Sequence, residues 1–288
     1  MKWPTWNQAA VAAVISLAVY FIARRSRPTR FTTALLPAAK EFALVAGLYT
    51  VWRLARELPF THEPGAIDRG RQINDFQQAI GLPSELSLQR FVLDHDVLGW
   101  FMNYYYAIAH VPTIIAFMVW MFVWRRDAYP RWRTGLAIVT AFCLLVRVVR
   151  VAPPRLVPEL GYVDLSSVYG LSVYGPVGTG VSDQFAAMPS IHIAWAAVVS
   201  FGIFAATTSR WRWVFLVHVV LTTLAVSATG HHWWLDSFVA LGLLAVALII
   251  DSSARRVIRG ARSAAGRLPA RPIPDRVASH DECEFEPK

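Results

Sequence analysis

The chain has 288 residues and is only 16% charged, against about 25% in soluble domains. That deficit, with 55% hydrophobic residues and a positive mean hydropathy, excludes an ordinary soluble domain, while a formal net charge of +9 leaves nucleic acid or anionic lipid as partners to weigh. Cys143 lies in an apolar stretch and Cys283 in a polar tail, which excludes a disulfide framework.

Runs of roughly 20 mainly apolar residues are long enough to cross a bilayer as helices. Seven such spans are predicted in chain order. Trp3–Ala23 has no charge. Only Lys2 precedes it, and its basic cluster follows, the reverse of a signal peptide. Phe31–Trp52 is interrupted by Pro37 and by Lys40-Glu41. The loop 53–96 holds Ile73–Val92, which Gly81 and Pro83 divide into two amphipathic helical pieces. These pieces either lie in the membrane interface or pack on the bundle. Val97–Trp124 has no Asp, Glu, Lys or Arg, and Thr134–Val151 carries Arg147 and Arg150 near its end. After the loop 152–190 come Ile191–Ser209, Trp213–Thr229 and Trp233–Ile250. The twelve Trp and nine Tyr suit two bilayer interfaces, and Asn103–Tyr106 either line a pocket or form part of an aromatic belt, the belt being the plainer reading.

Arginine clusters follow spans one, three, five and seven, at 24–30, 125–133, 210–212 and 255–267. The positive-inside rule makes those four connections cytoplasmic, with Arg53 and Arg56 a small violation. Short basic runs flanking spans favour anionic lipid and disfavour nucleic acid. The expected organisation is an N-terminal helix and basic loop (1–30), a membrane-embedded domain (31–251) and a cytoplasmic tail (252–288). The tail is expected to be disordered beyond about residue 265, having few apolar residues to bury. The fold class is thus all-α, a polytopic membrane bundle of about seven transmembrane helices.

Three polar groups fall at the non-cytoplasmic ends of spans four to seven. Ionisable residues there are functional by default. In Ala187-Met188-Pro189-Ser190-Ile191-His192, a Pro suited to a helix start puts Ser190 and His192 in the first turn of span five. The free N–H groups at that end favour an anion. His232 and Asp236, four apart at the start of span seven, share one helix face, and His231 is offset from it. A carboxylate there would fix the imidazole tautomer. Arg150 and Arg155 flank the break Ala152-Pro153-Pro154, and guanidinium forks suit phosphate oxygens. Plain alternatives stand beside each: a capping Ser with an incidental His, a capping His pair anchored by Trp233 and Trp234, and arginines that snorkel to headgroups.

Together these residues resemble the type-2 phosphatidic acid phosphatase superfamily, which also includes bacterial acid phosphatases and vanadium haloperoxidases. Pro189-Ser190-Ile191-His192 matches its Pro-Ser-x-His motif, and His232-Trp233-Trp234-Leu235-Asp236 its His-x-x-x-Asp motif. The strings AAMPSIHIAW, TGHHWWLD, APPRLVPELGYVD and NYYYAIAHVP look like the inositol phosphorylceramide synthase-like branch. The resemblance covers about 70–250. It implies a six-helix core, a lipid phosphate substrate, no metal and no cofactor, in a bacterial cell membrane. It also implies that His232 is a nucleophile forming a phosphohistidine and that Asp236 orients it. His192 would protonate the leaving oxygen and then activate the acceptor. Arg155, Ser190 and Arg150 would hold phosphoryl oxygens. Three positions depart from the pattern. Val148 stands where a Lys or Arg is usual, Leu156 follows Arg155, and Val226 replaces an arginine. Arg150, Asp183, Gln184 and His110 are the candidates to complete the phosphate cradle. Water as acceptor makes a phosphatase, and an alcohol makes a headgroup transferase. Two other readings are a transporter or scaffold using Lys40, Glu41 and His110, and a metallohydrolase using His192, His231, His232 and Asp236.

Overall fold

The computed structural model describes residues 4–57, 65–171 and 184–265. The chain divides into two units, Met1–Asp251 and Ser252–Lys288. The tail expected to be disordered lies outside the described residues beyond Ala265.

Every predicted span is helical, and no strand forms among the described residues. Helix α1 (Trp6–Arg25) packs along α2 (Arg30–Glu57), which runs unbroken through Pro37. Helices α3 (Ala66–Ala79) and α4 (Glu85–Leu93) are the two amphipathic pieces, divided as expected at Gly81 and Pro83. Then follow α5 (Asp96–Ile108), α6 (His110–Trp124), α7 (Tyr129–Val146) and the short α8 (Leu165–Tyr169). Last come α9 (Ile191–Ala206), α10 (Leu216–Ala228) and α11 (Trp234–Ala265). Among the described residues four helices are long and apolar enough to cross a membrane, or five when the bent α5–α6 pair is counted as one span, against the seven expected. The other two fall short for different reasons. Helix α7 carries Arg131 and Arg133, and α9 spans only about 24 Å at 1.5 Å per residue.

Two expectations at helix ends are corrected. Val97–Trp124 is not one straight span, because α5 and α6 meet at a 52° bend. The cause is Pro112, which has no N–H for the carbonyl of Ile108 and whose ring crowds it. Side chains also reach the carbonyls at the break: His110 Nδ1 donates to Tyr106 O (3.0 Å), and the Thr113 hydroxyl joins its own N–H on Ala109 O (2.6 and 3.2 Å). Span four also ends early. Helix α7 stops at Val146, so Arg150 lies beyond the helix rather than one turn inside it. The chain must become extended ahead of Pro153, and Val151 forms a parallel bridge with Ala186.

Helix α9 is the most enclosed, packed by α6, α7 and α10. Its small residues permit close approach. A Cβ on Gly202 would lie 2.4 Å from the Phe117 ring. The charge in α2 is also accounted for. Glu41 accepts from Arg133 Nη1 (2.7 and 2.9 Å) and from the Tyr129 hydroxyl (3.1 Å), so it ties α2 to α7 and is not free for a translocation path.

Helices α3 and α4 dock on the start of α11 through buried polar side chains. Glu85 Oε1 accepts from the Trp234 N–H (2.9 Å) and from Gln77 Nε2 (2.7 Å), while Gln77 Oε1 accepts from the Leu235 N–H (2.8 Å). Two of the donors left open at that helix start are thereby satisfied. Burial pushes the Glu85 carboxyl above its ordinary range, and the Trp234 N–H opposes that rise. Gln89 spans a wider gap. Its Nε2 donates to Val163 O and Ala228 O (both 2.9 Å), and its Oε1 accepts from the Val163 N–H (2.8 Å). Replacing Gln89 by Leu would orphan these backbone groups at about 1–3 kcal/mol each. We expect a clear fall in the thermal midpoint of Gln89→Leu in detergent; an unchanged midpoint would contradict this account of the docking.

Candidate active site

The site is assembled from three chain segments at one end of the bundle. The first is the extended pair at Val151. The Val151 N–H donates to Phe185 O (2.8 Å), and the Ala187 N–H donates to Val151 O (3.2 Å). Helix α3 braces this pair: the Ala152 N–H donates to Ala66 O, and Arg69 Nε donates to the carbonyl of Arg150. The second segment is the start of α9. Ser190 is its N-cap, fully buried, with its hydroxyl accepting from the Ile193 N–H (3.3 Å). His192 follows in the first turn, as expected.

The third segment is the turn between α10 and α11. Gly230 has φ +71°, and a Cβ there would lie 3.3 Å from Arg155 Cβ and from Gln89 Nε2, so glycine is required. The His231 and His232 N–H groups both donate to Val226 O (3.1 and 3.2 Å), and the Arg155 N–H donates to Gly230 O (3.1 Å). His232 precedes α11 by two residues instead of opening it, yet the four-residue spacing still brings it onto Asp236.

His232 Nδ1 lies 2.7 Å from Ala187 O and 3.1 Å from Asp236 Oδ2. A carbonyl and a carboxylate can only accept, so Nδ1 carries the proton and the lone pair of the neutral ring sits on Nε2. That Nε2 is shut from solvent and has no hydrogen-bond partner among the described residues. Asp236, completely buried, is held in turn by the Trp233 N–H (2.9 Å). The His192 ring stands 5.7 Å from that of His232, centroid to centroid.

The structure thus brings His192, His232, Asp236 and Ser190 together and sets Arg155 at the same turn. The Arg155 side chain is 2% exposed, with Nε 3.4 Å from Asp164 Oδ2. Arg150 is buried and lines a small crevice with Ala55, Leu144, Arg147 and Val148. Val226 is a fully buried core residue, so nothing cationic occupies the position of the missing arginine. Asp183 lies outside the described residues. No cluster of three or more His, Cys, Asp or Glu side chains that could hold a metal ion occurs among the described residues.

Two further residues join this group, one read from the sequence as a belt residue and the other, His110, as a candidate for the phosphate cradle. Tyr106, read as part of a belt, is 2% exposed and packs against His192 (4.9 Å) and His231 (4.6 Å). His110 stands 4.8 Å from His192. The signal was present in the spacing, because Asn103, Tyr106 and His110 recur at i, i+3 and i+7 and so share a face.

A family model described as the PAP2 superfamily matches residues 71–250, well over half the chain. The chain belongs to the PAP2 superfamily. No curated protein and no solved structure matches it. PAP2 membership supports a phosphatase-type enzyme, and the apolar helices make it an integral membrane protein. The matched region begins in α3 and ends in α11, so it contains every PAP2 motif residue described above and leaves out α1 and α2.

His231 gives this PAP2 site a pH signature. Burial, with the nearby charge of Arg155, holds its imidazole well below the usual histidine range. The native ring stays neutral where the unfolded ring, with a pKa of about 6.5, takes a proton. Its contribution to stability is therefore complete above that pH and lost as pH falls below it. The thermal midpoint in detergent should drop on acidification below about pH 6.5, and His231→Phe should show a shallower drop. Identical slopes would contradict this assignment.

Proposed function

We propose that this protein is a metal-independent lipid phosphatase or phosphotransferase that works through a phosphohistidine on His232. The observation that carries the reading is the fixed tautomer of His232: a proton committed on Nδ1 and a buried, unpartnered lone pair on Nε2, with a second histidine alongside. A chain in which this ring served only packing would gain nothing from leaving that acceptor open.

In the first half-reaction Nε2 attacks phosphorus. The N–P bond forms, the bond to the leaving lipid oxygen breaks, and His192 supplies that oxygen with a proton. In the second, His192 takes a proton from the incoming hydroxyl, whose oxygen displaces the imidazole and restores the Nε2 lone pair. Splitting the transfer in two is the advantage of a covalent nucleophile. Asp236 keeps the His232 proton on Nδ1 and offsets the positive charge of the phosphorylated ring. Arg155, Ser190, Arg150 and the open N–H groups of α9 supply the donors for the phosphoryl oxygens. The substrate class is a lipid phosphate or diphosphate ester. The arginine clusters after alternate spans support a non-cytoplasmic position for this end of the bundle. Water as acceptor gives hydrolysis. A lipid or polyol alcohol gives headgroup transfer, including the inositol phosphate transfer that the branch-like strings suggest.

The test is phosphate release from a panel of lipid phosphates by the full chain in detergent with EDTA, extended to transfer onto a polyol or lipid alcohol. Wild type should be active and insensitive to EDTA, and His232→Asn should lose about a thousandfold or more. Activity that EDTA abolishes, or that His232→Asn retains, would overturn the reading.

A further inference from the structure

We infer that His110 is the positioning residue of His192, serving as the fixed acceptor that keeps the His192 proton on Nδ1 through both half-reactions. The inference rests on the reading of His192 as the proton carrier.

His110 opens α6 directly after the Pro112-induced break. Its Nδ1 lies 3.0 Å from the carbonyl of Tyr106, which can only accept, so His110 carries its proton on Nδ1 and its lone pair on Nε2. That Nε2 is shut from solvent and has no hydrogen-bond partner among the described residues. An unfilled acceptor in so buried a place is costly unless some state of the protein fills it. The neighbour at hand is His192, whose ring centroid is 4.8 Å away at an interplanar angle of 70° and whose Nδ1 is likewise shut from solvent. At that centroid distance the edges of the two rings approach within hydrogen-bond reach, so a rotation of the His192 ring sets its Nδ1–H on His110 Nε2 while His110 keeps its bond to Tyr106.

The arrangement parallels that of His232, with an imidazole lone pair in place of the carboxylate of Asp236. As an acid, His192 is an imidazolium whose Nδ1–H points at His110 and whose Nε2–H faces the leaving oxygen. After giving up the Nε2 proton, it keeps Nδ1–H on His110, so its lone pair appears on Nε2, where the incoming hydroxyl needs a base. His110 exchanges no proton itself, since its own N–H stays on the Tyr106 carbonyl. Tyr106 contributes twice, through that carbonyl and through its ring, which closes another side of His192 at 4.9 Å.

The experiment compares first-turnover release of the leaving group from two esters, using the full chain in detergent. One is an alkyl lipid phosphate, whose alkoxide must be protonated to depart. The other is 4-nitrophenyl phosphate, whose phenolate departs without a proton. His110→Phe removes the acceptor, His110→Gln restores an oxygen near the Nε2 position, and His192→Asn is the reference. His110→Phe should slow the alkyl ester by about tenfold or more and the aryl ester by far less, in the pattern of His192→Asn. His110→Gln should recover most of the loss. Equal slowing of both esters, no slowing of either, or a His110→Gln that is no better than His110→Phe would overturn the inference and leave the histidine chemistry standing. A wild type silent on both esters and in transfer would overturn that chemistry and this inference with it.

Discussion

The hydrogen bonds at His232 Nδ1 are the constraint on which the rest of the site depends. Its proton is shared between a backbone carbonyl, Ala187 O, and a carboxylate, Asp236 Oδ2, that come from segments 49 residues apart in sequence. Either acceptor alone would fix the tautomer. The pair also fixes the ring plane, and through Ala187 it fixes where α9 begins. The Ala187 carbonyl is aimed by the bridge to Val151, and Val151 is extended because two prolines follow shortly after. The prolines that follow Val151 are thereby connected, through two backbone hydrogen bonds and one from the His232 ring, to the orientation of the histidine.

The polar helices α3 and α4 make this arrangement possible in a molecule whose surface is largely apolar. A turn carrying two buried histidines and a buried aspartate exposes backbone groups that hydrocarbon cannot satisfy. Glu85, Gln77 and Gln89 satisfy them, which explains why residues so rarely buried are buried here. The sequence left open whether the amphipathic pieces lie in the interface or pack on the bundle. Their polar faces pack on the bundle at α11 and the Gly230 turn, while Phe76, Ile80 and Phe91 remain exposed.

Much of the fold was legible because membrane helices announce themselves by apolar length. The start of α9 was legible because Pro189 and Ser190 are a local helix-start signal, and the contact of His232 with Asp236 because four residues return to one face even in the irregular turn where it occurs. What could not be read were contacts made by backbone or by residues distant in sequence. No pattern marks Ala187 as the carbonyl that holds His232. Arg150 was misplaced because the helix stops at Val146, four residues before it, and helical spacing no longer applied. The α5–α6 bend was legible in Pro112 but was overridden by the uniform apolarity of that span. Tyr106 was hidden in a run of three tyrosines, of which Tyr104 is half-buried and stacks on Trp100 at 4.3 Å, as a belt residue would.

The central claim is a covalent bond between phosphorus and His232 Nε2. The direct measurement is rapid quenching of the full chain with a phosphorus-labelled lipid phosphate, followed by analysis of the protein-bound label. The account predicts a label that is labile in acid and stable in base, carried by His232 and absent from His232→Asn. Label on another residue, or turnover of a good substrate with no bound phosphoryl group at any time point, would contradict it.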